Sequence, residues 1–370
     1  MERLGGTVVK VPRKYLYAGL ALPALILAIP AGSLYFESGN GARCASCHEM
    51  QPVYDKWRVS SHRGIGCEQC HGGALTTDVA FHWNNVSRAY EHLRGNLPEQ
   101  VGFGNKYVRQ MSDRCAGCHR AEYAAWKSGP HSATYERIFL DKKHNSENML
   151  MDDCLRCHGM YFPGSIFDLV TPVDRKGPWR LKQPEMSGTP SMPCLTCHTM
   201  HRKGEQRTKA GPDGAVPGPL QQTAAPSLAL FDRRTQEGIF VADLPLPEML
   251  DGTRPVKMST DRRQALCYQC HAPDFSRQVG SGDDRTGAGV HEGISCLACH
   301  ARHTQQTRAS CGTCHPKMSN CGLDVEKMDT TFKSRTSKHN VHWVKCVDCH
   351  PSGVPPRKAR PGATALARSD

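Results

Sequence analysis

Apolar side chains are scarce in this chain: A, V, I, L, M, F, W, Y and C together make up only 38% of 370 residues, and the aromatics only 7%. A side-chain core of ordinary extent cannot be built from that supply, so something else has to furnish buried apolar surface. Unpaired cysteine is nearly absent too, since 18 of the 19 Cys fall into C-x-x-C pairs and only Cys321 is left over. Zinc ribbons use two such pairs per ion and need no His directly after each. A disulfide framework would ignore that His as well. Acidic residues are short, 35 against 47 Lys and Arg, and residues 15–36 carry no charge at all.

Every one of the pairs is followed at once by His. The first four motifs are Cys44–Cys47–His48, Cys67–Cys70–His71, Cys115–Cys118–His119 and Cys154–Cys157–His158. Cys194–Cys197–His198 stands alone in the middle. Cys267–Cys270–His271, Cys296–Cys299–His300, Cys311–Cys314–His315 and Cys346–Cys349–His350 crowd the distal part. C-x-x-C-H is the attachment motif of c-type haem, with two thioether bonds and the adjacent His as proximal iron ligand. The sequence therefore implies nine covalently bound haems, about one per 41 residues, whose porphyrin faces supply the missing apolar surface. The expected fold is a multihaem cytochrome c, mostly α and irregular around a haem-packed core, with one N-terminal transmembrane helix. The chain is not expected to fold without haem.

The formal charge of +12 does not call for nucleic acid. Eighteen propionates and nine ferric porphyrin centres bring it to about +3, or about −6 with every iron ferrous, so the basic side chains read as propionate neutralisation.

Taken in order, residues 1–14 form a basic cytoplasmic N-terminus, and the uncharged run 15–36 is long enough to span about 30 Å of hydrocarbon as a helix. A cleaved signal peptide shares the basic start, but the run is longer than such a segment and ends without a clean cleavage site. The expected location is the inner membrane, crossed once, with the haem domain on the periplasmic side. Residues 76–95 read as a helix with Thr77 or Asp78 at its start, Gly95 at its end and an apolar stripe of Val79, Trp83, Val86, Tyr90 and Leu93. That stripe suits either a membrane surface or a haem-packed core. Residues 159–193 read as irregular, and 202–266 as a long loop or linker. The expected divisions are a four-haem domain over 37–160, a Pro- and Gly-rich region with the fifth haem over 161–266, four haems over 267–350, and a disordered tail over 351–370.

The charge-free run, the motif Cys44-Ala-Ser-Cys47-His48-Glu49-Met50, the Ser60-Ser61-His62 before the second motif and four motifs within about 120 residues resemble the NapC/NirT/NrfH family of membrane-anchored quinol-oxidising cytochromes. The resemblance covers roughly residues 10–160. It implies that Met50 binds the first haem and that a quinol site lies beside it. Some members place a Lys and an acid between the second and third motifs. Lys106 is the only Lys there in this chain, which leaves His82, Asp78 and Glu91 to accept quinol protons.

Ten His remain after the nine proximal ones: His62, His82, His92, His131, His144, His201, His291, His303, His339 and His342. With Met50 serving the first haem, eight other haems need a sixth ligand, so this supply comes close to filling every axial position. A haem with both axial positions filled passes electrons but binds no substrate. The expectation is an electron relay from (mena)quinol and the quinone pool to a periplasmic or extracellular redox protein or terminal reductase. The alternative is a reductase of nitrite, hydroxylamine or a sulfur oxyanion with one open haem in the C-terminal region.

Overall fold

A computed structural model describes residues 12–39, 41–58, 60–73, 79–96, 105–199, 228–272, 291–305, 314 and 346–353. Helix α1 (Arg13–Glu37) runs 25 residues, about 37 Å at 1.5 Å per residue. Its Leu and Ala content favours helix, and the segment Gly19–Glu37, with mean hydropathy 1.8 and no part of its apolar stretch fully buried, is long and apolar enough to cross a membrane. Pro23 and Pro30 lie inside it, a placement tolerated where apolar surroundings keep the rest of the ladder bonded.

Several short elements follow from the motif itself. Positions i and i+3 share a helical face, so one turn aims both thiols the same way. The second, fourth, seventh and ninth motifs occupy α3 (Cys67–His71), α9 (Leu155–His158), α12 (Cys296–Cys299) and α13 (Cys346–Cys349). The first and fifth start in 3₁₀ turns at Cys44–Ser46 and Cys194–Thr196. Between them lie α2 (Gln51–Arg58), α4 (Val79–Leu93), α5 (Asn105–Cys118), α6 (Arg120–Ser128), α7 (Tyr135–Phe139), α8 (Lys142–Glu147), α10 (Ile166–Leu169) and α11 (Gln264–Tyr268). Asp141 and Thr134 cap α8 and α7, and Ser165 with Asp168 forms a capping box on α10. Gly95, at φ +71°, follows α4 as expected of a stop signal. Thr77 and Asp78 lie outside the described residues.

Residues 159–193, expected to be irregular, instead hold much of the best side-chain packing. Phe162, Ile166, Leu169 and Val170 join Tyr135, Phe139, Leu150 and Leu155 in one buried cluster. Val170 pairs with Leu181 across a two-stranded ribbon, β1 (Val170–Thr171) and β2 (Arg180–Leu181). The prolines and glycines shape the turns here without preventing the apolar residues from meeting. The stretch expected to be a linker is likewise structured from residue 228. Strands β3 (Ala229–Asp232) and β4 (Glu237–Phe240) form a hairpin, β5 (Leu250–Asp251) and β6 (Arg254–Pro255) another. Val241, Leu244 and Ala265 are buried against the β3–β4 hairpin. Tyr161 stacks on Phe231 at 3.9 Å between ring centres and donates its hydroxyl to the Leu195 carbonyl at 2.8 Å. The boundaries expected at 160 and 266 thus both fall inside packed groups. The described side-chain core amounts to three small clusters.

Candidate functional site

Several of the described histidines meet in pairs. His62 faces His119 with ring centres 6.0 Å apart, His131 faces His271 at 6.0 Å, and His198 faces His303 at 6.3 Å. Each pair joins one motif His to one of the ten others. Two imidazoles on opposite sides of one metal, with metal–nitrogen bonds of about 2.0–2.1 Å and each nitrogen about 1.1 Å from its ring centre, have centres roughly 6.3 Å apart. The residues present therefore fit axial ligation of haem iron. His144 and His158 form a further neighbouring pair, each close enough for the charge on the first to depress the second.

The state of these rings suits the role. Burial holds His71, His131, His158, His198 and His271 below the ordinary imidazole value, helped by neighbouring cations or imidazoles. A ring kept neutral offers the lone pair that a metal needs. His300 Nδ1 lies 3.4 Å from the Gln305 carbonyl, the kind of outer contact that orients a ligating ring.

Motif one differs. His48 and His92 are only 5.4 Å apart, and the Glu49 carboxylate sits between them, 3.2 Å from His48 Nε2 and 2.6 Å from His92 Nδ1. The His48 side chain is 83% exposed. Glu49 was not singled out in the sequence, where an acid beside a motif His has no spacing signature. Met50, two residues beyond His48, is partly exposed.

The expected proton-accepting residues are not all brought together. His82 Nδ1 shares a 3.2 Å hydrogen bond with the Ser33 hydroxyl, tying α4 to α1. Glu91 lies nine residues further along the same helix, about 13.5 Å up the axis and on the opposite face. Asp78, His201, Cys311, His315, His339 and His342 fall outside the described residues. The apolar stripe of α4 points outward, with Trp83 70%, Tyr90 56% and Leu93 83% exposed.

The thiols of different motifs adjoin. Cys115 is pushed up to about 11 by burial first, then by Cys194 and Cys70. Cys67 is raised by burial and then by Cys44. Cys296 and Cys197 both contribute to the raised value of Cys267, and Cys157 lies beside Cys270. A cavity lined in part by Arg109, Asp113, Trp126 and Lys127 opens beside the third and fifth motifs, with two cations and one carboxylate at its wall.

Comparison with known proteins agrees with this chemistry. The family described as cytochrome c554 and c-prime matches residues 114–168 and 248–301. The cytochrome c-type protein NrfH of Wolinella succinogenes is 23% identical over 163 residues, which cover 43% of this chain and 88% of that protein. The C-type polyheme cytochrome OmcB of Geobacter sulfurreducens is 26% identical over 194 residues, 48% of this chain but only 22% of that one. No solved structure matches. By motif, by ring geometry and by these relatives, the chain belongs to the multihaem c-type cytochromes.

Proposed function

We propose that this chain is a membrane-anchored nonahaem cytochrome that accepts electrons from (mena)quinol near the first haem and relays them to a periplasmic or extracellular redox partner. The observation that carries this reading is the set of facing imidazoles, His62 with His119, His131 with His271 and His198 with His303. Filled axial positions conduct electrons and leave no site for a small acceptor. Each haem, when bound, supplies a one-electron couple, and the protein supplies spacing and electrostatics.

The adjoining thiols support an order in which motif one neighbours two, two neighbours three, three neighbours five, five neighbours six and six neighbours seven, with motif four beside six. At the other end, α1 and the outward apolar stripe of α4 offer a place for a lipid-soluble donor next to motif one. NrfH, a c-type cytochrome protein by name, matches 43% of this chain.

EPR of the oxidised protein should be dominated by low-spin haem, with at most about one high-spin centre by the ligand count. The detergent-purified protein should oxidise menaquinol in the presence of an electron-accepting cytochrome. Several high-spin centres, or turnover of nitrite, hydroxylamine or tetrathionate without a partner protein, would favour the reductase instead.

A further inference from the structure

The facing pairs divide into two kinds. His62 and His119 both belong to the stretch before residue 160. His131 and His271, by contrast, are 140 positions apart in sequence, and His198 and His303 are 105 apart. Each of the latter pairs joins the chain after residue 266 to the stretch before residue 200, so the two halves would share iron.

Three further observations hold these halves in place. A Cβ built on Gly129 would lie 2.8 Å from both the His303 and the Thr304 carbonyl oxygens, so the loop ahead of His131 touches the backbone that carries His303. His303 itself has φ +64° and Gln305 φ +56°. Non-glycine residues rarely adopt that left-handed region, and they hold it where surrounding contacts fix them there. The Cys157 and Cys270 sulfurs adjoin, which brings motif four against motif six at the same junction.

We infer that His131 is the sixth ligand of the haem on Cys267 and Cys270, and His303 that of the haem on Cys194 and Cys197, so that two irons stitch the C-terminal half onto the N-terminal half. The inference rests on the reading that each C-x-x-C-H motif carries haem. It does not depend on quinol as donor. One consequence is that the sixth motif has its distal ligand 136 residues before Cys267, and the fifth has its own 106 residues after Cys197. Neither ligand is a near neighbour of its own motif in sequence.

The test uses full-length protein and spin state rather than activity. His131→Gly and His303→Gly are each expected to convert one low-spin ferric centre to high spin, with haem content otherwise unchanged, and added imidazole should return it to low spin. To identify the iron, the His131 change is repeated in a Cys267→Ala/Cys270→Ala chain and the His303 change in a Cys194→Ala/Cys197→Ala chain. There each should produce no additional high-spin centre. His131→Met and His303→Met keep an axial donor if the glycine variants fail to accumulate. Each should introduce a thioether-to-iron charge-transfer band and raise one haem potential, and the band should vanish when the assigned haem is removed. A high-spin centre or band that persists without the assigned haem, or no spectral change in the nine-motif chain, overturns the assignment. Failure of menaquinol oxidation with these spectra intact would count against the relay alone.

Discussion

Glu49 is where residue-scale chemistry departs from the pattern set by the motifs. Its carboxylate fills the gap between His48 and His92, at a ring separation shorter than that of the other three pairs. Burial pushes this carboxyl up, but a backbone hydrogen bond and the bond with His92 outweigh it and hold it below the ordinary value. An arrangement of two imidazoles bridged by a carboxylate leaves Met50 as the distinctive donor at this motif. Met ligation raises a haem's potential relative to two His, which suits a first acceptor of electrons. Met50→Leu should therefore lower the potential of one haem and slow menaquinol oxidation, while the other haems keep their spectra. A redox titration unchanged from the parent protein would return this motif to ordinary His ligation. The proximal His and the Cys were legible as residues because the motif is local. Glu49 was not, because its role comes from His92, 43 positions away.

At the scale of elements, α4 and the Asp261 loop carry the clearest consequences. Sequence periodicity places Val79, Trp83, Val86, Tyr90 and Leu93 on one stripe but cannot say what the stripe faces. In the structure its described members Trp83, Val86, Tyr90 and Leu93 point outward beside α1. Burying an exposed Trp of this kind in lipid is worth on the order of 2–4 kcal/mol, enough to hold the helix at a bilayer surface. A spin label at Val86 in proteoliposomes should accordingly be more accessible to oxygen than to a water-soluble nickel chelate; the reverse order would detach α4 from the membrane. Asp261 ties α11 to the entry of α12. It accepts hydrogen bonds from Arg263 Nε at 2.8 Å and Arg263 Nη2 at 2.7 Å, and from the Ser295 hydroxyl at 2.6 Å. Burial acts to raise its pKa, but these partners prevail and hold it below the ordinary value. A depressed carboxylate stabilises the fold fully above its unfolded value of roughly 3.9 and loses that contribution as pH falls through the folded value. Asp261→Asn should cost about 1–3 kcal/mol near neutral pH and shrink the loss of melting temperature between pH 6 and pH 3, followed by haem absorbance.

At the scale of the molecule, the described residues form three small apolar clusters and many one-turn helices, the pattern of a polypeptide that wraps something larger than its own core. Chain produced without haem attachment should show little helix by circular dichroism and rapid proteolysis, whereas the attached form resists both. A protease-resistant apo chain would contradict that account. The motifs that specify covalent haem, the scarcity of side-chain core and the charge-free N-terminal run are properties of residue type at short spacing, so the sequence by itself determined them. The tight packing of residues 159–193 and the hairpins after residue 228 were hidden by Pro and Gly content, which reports turns but not what the turns bring together. The facing of His131 with His271 and of His198 with His303 only the tertiary structure decided. Pairings across more than a hundred residues depend on how the chain doubles back, and no local pattern records that.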